Sequence, residues 1–210
     1  PIDGFLLIIG QGFSSGHADN LIFFLHGCSK MKVKLMRLKG NLEQSNLDNR
    51  LGYDPDIIEF YLSDRDLKDP DLIRDRIRLL HDRGVKPYLH HPPNHQGEYL
   101  DILSGNPHIR RFYHESCELL ARICTEERAK CVVHAHYVDT DSCRNITRER
   151  TVHLREEIRN IMAYSREVFI WEDSTEGLFS YGRNPYLIDD LIVPLELSLN
   201  VDVSHTFISF

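Results

Sequence analysis

From residue 31 onward the chain alternates short apolar runs with longer amphipathic segments. The runs are KVKLMRL (32–38), DIIEFYL (56–62), KPYLHH (86–91), CVVHAHY (131–137), VFIWED (168–173) and LNVDVSH (199–205). Each has the β-branched and aromatic character of a strand. They recur at intervals of roughly 20 to 45 residues, the spacing that βα units require.

The segments between them have helical periodicity. Asp69 and Pro70 supply an N-cap and a first-turn proline, Ile73, Ile77 and Leu80 make one apolar stripe, and Gly84 is a stop. Pro107 opens a second helix, with Ile109, Phe112, Tyr113, Ser116, Leu120 and Ile123 on one face. Leu154, Ile158, Ile161 and Met162 mark a third. Asn184 and Pro185 open the last, with Leu187, Ile188, Leu191 and Leu195. Residues 41–51 form a weaker helix with only Leu42, Leu47 and Leu51. Strands alternating with helices predict a parallel sheet flanked by helices. Two architectures fit, an open doubly wound sheet and a (β/α)₈ barrel. GQGFSSG (10–16) lacks the G-x-G-x-x-G spacing and the P-loop lysine, so it reads as a loop rather than a nucleotide site.

Composition narrows the function classes. Hydrophobic residues at 41% and charged residues at 27% describe a folded globular chain. A net charge of −7 argues against a general nucleic-acid binder, which needs a basic face for phosphates. Five cysteines, an odd number with no C-x-x-C pair, predict a reducing, cytoplasmic setting without disulfides. FLLII and LIFFL are too short to span a bilayer, and no cationic region precedes the first, so neither a membrane segment nor a signal peptide is expected.

The polar residues at the strand ends carry the chemistry. Glu59 lies on the second run, His90 and His91 on the third, His134 and His136 on the fourth, Glu172 and Asp173 on the fifth, and Asp202 and His205 on the sixth. A single histidine at a strand end is usually a hydrogen-bonded core or surface residue. Five successive strands ending in metal-capable groups are a different matter, because barrel active sites gather at the C-terminal strand ends. Nitrogen and oxygen donors at one rim suit zinc, manganese or magnesium. Period two puts His134 and His136 on one side of their strand; His134, further into the strand, is preferred as ligand and His136 as a substrate contact. His91 faces away from His90 and reads as structural. His95, His108, His114 and His153 read as surface residues. Asp173 and Glu176 read as solvated or capping groups.

These motifs resemble those of the xylose-isomerase-like TIM-barrel superfamily, which holds sugar and sugar-phosphate isomerases and epimerases together with endonuclease IV. LHHPPN is similar to its third-strand H-x-P motif, VVHAHY to its fourth-strand histidine motif, IWEDSTEG to its fifth-strand glutamate motif, and VDVSH to its sixth-strand D-x-x-H motif. DIIEFYL resembles the second strand common among the isomerases. The resemblance covers residues 31–210. It implies a divalent metal held by His90, His134, Glu172, Asp202 and His205. Glu172 is then also the catalytic acid/base, and His136, His205 and Glu59 face the substrate.

The superfamily barrel has eight strands, and only six are readable here. The expected fold is therefore a partial α/β TIM barrel of about six βα units over residues 31–210. Residues 1–30 remain an unassigned extension, either a hairpin over the open edge or a segment unrelated to the barrel. The first functional expectation is a metal-dependent sugar or sugar-phosphate isomerase or epimerase, moving a proton through an enediolate. The second is an endonuclease IV-like phosphodiesterase, for which DNA would be the partner at an abasic site. The third is a truncated barrel that keeps ligands without turnover. Oligomeric state is open on the sequence.

Overall fold

The computed structural model describes residues 35–209. The expectations for residues 1–30, and the start of the first strand run, lie outside them. The elements in chain order are β1 (Arg37–Gly40), α1 (Gln44–Leu51), β2 (Ile57–Tyr61), α2 (Pro70–Asp82), β3 (Lys86–His90), a small hairpin of β4 (Asn94–His95) and β5 (Glu98–Tyr99), α3 (Pro107–Glu127), β6 (Lys130–His134), α4 (Arg148–Met162), β7 (Phe169–Glu172), α5 (Val193–Leu195), β8 (Leu199–Asn200) and α6 (Val203–Ser209).

The main sheet runs β1-β2-β3-β6-β7-β8, with every pair parallel. This order follows the chain without reversal. A doubly wound sheet needs a reversal, so the order bears out the partial barrel that the motif resemblance implied. The sheet is a curled half-barrel with helices outside, an incomplete α/β TIM barrel. Its two edge strands meet across the interior, where Arg37 Nη1 on β1 donates to Asn200 Oδ1 on β8 at 2.9 Å.

The outer face of the sheet makes the apolar core. Ile58, Phe60, Leu89, Cys131, Val133, Phe169 and Trp171 pack with Ile73, Ile77 and Leu80 of α2, Leu120 of α3, and Leu154 and Ile158 of α4. The alternate positions, Glu59, His90, His134 and Glu172, are buried on the other face. The Asp69 and Gly84 signals act as read, and Asn106 and Thr147 add caps of their own. Asp69 accepts from the Leu72 N–H at 3.1 Å, Asn106 from His108 at 3.0 Å, and Thr147 from Arg150 at 3.2 Å. Gly84 ends the α2 turn at φ +73°.

Two expectations need correction. The last run is not a strand to its end: β8 stops at Asn200, and His205 belongs to α6. The reason is local, since Asp202 Oδ1 accepts from the Ser204 N–H at 2.8 Å and so starts the helix. The helix before it begins with a π turn over Ile188–Ile192. Pro194 has no N–H for the Asp190 carbonyl, which instead accepts from Arg155 Nη1 at 3.1 Å. The phase shift exposes Ile188 and buries Ile192. Among the described residues no helix is long and apolar enough to cross a membrane. Cys117, Cys124, Cys131 and Cys143 are free thiols.

His91 is a buried core group. Ser116 Oγ gives its proton to the carbonyl of Phe112 or Tyr113, so at 2.7 Å it accepts from His91 Nε2. His91 is thus the neutral Nε2–H form. Burial pushes its pKa down to about 3, with His90 and His134 adding repulsion. The unfolded chain takes up this proton below pH ~6.5 and the folded chain does not, so stability is present above that pH and falls on acidification toward 3. By pH 5 the loss is roughly 2 kcal/mol. We expect His91→Phe to lessen the loss between pH 7.5 and 5 by about that amount in urea melts; an unchanged difference would assign the acid sensitivity to other groups.

Candidate metal centre

The first three sheet strands bring charge to the barrel interior. Register places Lys39 beside Glu59, and Tyr61 beside His90. Glu59 is fully buried, with Oε1 2.5 Å from His90 Nδ1. Its Oε2 forms an ion pair with Arg37 Nη2, and Lys39 Nζ stands 3.8 Å from Oε1. Burial alone would raise the Glu59 pKa, but the His90 hydrogen bond and the charges of His90, Arg37 and Lys39 outweigh it and hold the carboxyl below its usual range. A carboxylate only accepts, so His90 Nδ1 is the donor of this bond. His90 Nε2 is buried and has no hydrogen-bond partner.

The next strands supply the rest. His134 and Glu172 are register partners on β6 and β7, and His134 Nε2 lies 3.3 Å from Glu172 Oε1. His134 Nδ1 is likewise buried without a partner. Burial pulls the His134 pKa down, against the opposing pull of Glu172. Burial would raise Glu172, yet the charge and hydrogen bond of His134, with His90 and Lys39, hold it far below the normal range. Asn200 Nδ2 donates to Glu172 Oε2. The His90 and His134 rings are 5.3 Å apart, and those of His134 and His205 6.0 Å.

The chain after β8 completes the cluster. Asp202 donates its backbone N–H to Asp173 Oδ1 at 2.8 Å, and His205 Nδ1 meets the Asp173 carbonyl at 2.8 Å. That carbonyl only accepts, so Nδ1 carries the proton. His205 Nε2 is 3.9 Å from Asp202 Oδ2. One set of potential donors is Glu59, His90 and Glu172; a second is Glu172, Asp202 and His205, each within 4.8 Å of one another. Glu172 belongs to both.

The structure thus gathers His90, His134, Glu172, Asp202 and His205 at one end of the sheet. Glu59 belongs to the first donor set with both oxygens already engaged by His90, Arg37 and Lys39, whereas His134 is in neither set and joins the cluster through Glu172. His136 lies elsewhere. The β6 ladder ends at His134, and His136 Nε2 accepts from the Phe179 N–H at 3.0 Å. Its Nδ1 then carries the proton and points to the Tyr137 carbonyl at 3.1 Å. Cys143 Sγ is 3.5 Å from that same nitrogen, which has no lone pair to deprotonate the thiol.

Arg37, Asn200 and Asp173 are participants that the sequence reading passed over. Arg37 and Lys39 carried a signal, as cations at alternate positions of a strand in a buried sheet need an internal partner. Asn200 shares the two-residue period of Asp202. Asp173, read as solvated, is buried, with Oδ2 unpartnered. Burial pushes its pKa up to about 6, against the Asp202 N–H and the His205 charge and aided by Glu172.

The turn after β7 is held by Gly177 at φ +80°. A Cβ there would lie 2.6 Å from His136 Cε1, 2.7 Å from Ser142 O and 2.8 Å from Cys143 Cα. Gly177→Ala adds left-handed strain to a backbone clash and is expected to destabilise by roughly 2–4 kcal/mol. A thermal melt within error of the unsubstituted chain would show that the turn relaxes.

No family profile matches the chain, and no curated protein sequence matches it. Solved structures do. The TTHB071 protein from Thermus thermophilus, soaked with ZnCl2, superposes with TM-score 0.58 at 21% identity, over 81% of this chain and 67% of that one. D-psicose 3-epimerase with D-tagatose from Clostridium cellulolyticum gives 0.52 at 13%, over 80% and 62%. SacUVDE gives 0.51 at 13%, over 78% and 58%. The fold is a partial TIM barrel. The chain spans two thirds or less of the length of these barrels, and at such identities the likeness establishes the fold alone. Within the barrel the cluster occupies the C-terminal strand ends, where barrel chemistry is done.

Proposed function

We propose that this half-barrel holds a divalent cation on His90, His134, Glu172, Asp202 and His205, and serves proton-transfer chemistry on a sugar or sugar phosphate, as an isomerase or epimerase. The observation that carries the metal reading is the convergence of two donor sets, one of Glu59, His90 and Glu172 and one of Glu172, Asp202 and His205, on a single carboxylate held ionised. Buried polar atoms are normally satisfied. His90 shares a donor set with Glu172, His134 meets Glu172 through Nε2 at 3.3 Å, and the nitrogens these rings leave without partners, His90 Nε2 and His134 Nδ1, fit ligation of a cation. Glu59 fits the supporting role of a carboxylate that orients a ligand imidazole by its far nitrogen. When bound, the cation supplies Lewis acidity toward adjacent oxygens of a hydroxy-carbonyl substrate. Glu172 takes the proton from the carbon next to the carbonyl and returns it, and His205 orients a substrate oxygen. The epimerase among the structural neighbours supports this choice of substrate class.

A second reading, phosphodiester cleavage at an abasic site, is favoured by the two imidazoles, because nitrogen-rich donor sets suit zinc. One experiment separates them. Protein purified without chelator or affinity metal is assayed for metal content. It is then incubated in D2O with a panel of ketoses, and separately with an abasic oligonucleotide. Deuterium entering the sugar at the carbon beside the carbonyl is the expected result. Strand cleavage without exchange would move the assignment to the second reading. Absence of metal under every loading condition would overturn both.

A further inference from the structure

The interior of the half-barrel holds a continuous polar circuit that the metal reading does not need. His90 Nδ1 meets Glu59, Glu59 pairs with Arg37, Arg37 Nη1 donates to Asn200 Oδ1 at 2.9 Å, and Asn200 Nδ2 donates to Glu172 Oε2. It starts at one imidazole of the cluster and ends at its shared carboxylate. The Arg37 side chain is 3% exposed, and its guanidinium lies 4.9 Å from the centre of the Tyr88 ring. Asn200 is 1% exposed.

An amide has two orientations, and only one donates to Glu172. Arg37 decides between them, because a guanidinium has donors and no acceptor and so requires the Asn200 oxygen. With Oε2 held by Asn200, Glu172 turns Oε1 toward His134 at 3.3 Å. We infer that Asn200, fixed by Arg37, is a positioning residue that sets which carboxylate oxygen of Glu172 faces the metal cluster, and that the pair ties β1 to β8 for this purpose. This inference rests on the metal-site reading above.

The closing experiment uses cobalt(II) as probe, read by titration and by visible absorption, whose bands report ligand geometry. Asn200→Leu keeps the volume and removes both hydrogen bonds. Arg37→Lys keeps the charge beside Glu59 but loses the fork that reaches both Glu59 and Asn200. Asn200→Leu is expected to weaken cobalt binding by about 10- to 100-fold and to shift the bands. Arg37→Lys, acting through the amide, shifts the bands in the same sense with a smaller loss of affinity. Wild-type affinity and bands in a folded Asn200→Leu protein would overturn the inference. Should that protein not fold, unchanged bands in Arg37→Lys overturn it, and shifted bands support it. A wild-type chain that binds no cobalt overturns the metal reading itself, and this inference with it.

Discussion

Glu172→Gln is expected to lower zinc and manganese affinity by more than about 100-fold, since even outer partners of metal ligands cost 10- to 100-fold. Glu172 belongs to both sets of converging donors, and its neighbours hold it ionised against its burial. Glutamine keeps the shape and discards the charge. Its amide oxygen accepts the Asn200 donation as before, which turns its NH2 group toward His134. A donor then faces a donor where a cation-binding oxygen stood. Calorimetric titration of each metal into both proteins measures the effect, and a melt of the metal-free forms shows whether the fold survives. Equal affinities with an intact fold would remove Glu172 from the site and leave the two histidines without a common anion.

What is legible in the sequence follows from which interactions are local. Helix starts at Asp69 and Pro107 are read from a few neighbouring residues, and the structure forms them with side-chain caps from Asp69 and Asn106. Strand-end position is equally readable for His90, His134 and Glu172, because period two fixes which face a residue takes once its strand is known. The last segment misleads for a local reason too. In VDVSH, Asp202 followed by Ser204 is a helix start, and the β-branched Val201 and Val203 hide it. The tie between Arg37 and Asn200 is another matter. Its partners are 163 residues apart, and nothing near either one announces the other. His136 is out of reach for the same reason, since its ring is claimed by the Phe179 N–H on a later loop. Its place behind the cluster cannot be read from two-residue periodicity, because the strand ends before it.

Alternation of elements alone does not choose between barrel and open sheet; the strand-end motifs chose the barrel, through the family they resemble. Both architectures have the same alternation of elements, and they differ in strand order and curvature. Glu59 marks where the curvature has a chemical consequence. In an open sheet, a carboxylate in the middle of IIEFY would face a helix layer. In the curled sheet it faces Arg37, Lys39 and His90. The same residue type at the same sequence position thus becomes a support for His90.

That role carries the largest stability effect we expect. Glu59→Leu leaves the Arg37 guanidinium inside the barrel with its ion-pair partner gone, beside the Asn200 oxygen and the Tyr88 ring. Breaking a buried pair by removing one partner costs about 3–5 kcal/mol, most of it the cost of the stranded charge. For a domain of this size that corresponds to a fall of roughly 6–20 °C in Tm. The Arg37→Met, Glu59→Leu double substitution removes both charges and should recover most of the loss, as apolar replacement of whole buried pairs is often near neutral. It should not recover metal binding, because His90 Nδ1 would still lack its acceptor. Thermal melts and zinc titrations on the two single variants and the double variant separate these contributions. Equal destabilisation by Glu59→Leu and by the double substitution would mean that solvent reaches Arg37 and that the pair is not buried. Full metal affinity in the double variant would mean that His90 is oriented without Glu59, leaving that carboxylate with a purely electrostatic part in the barrel.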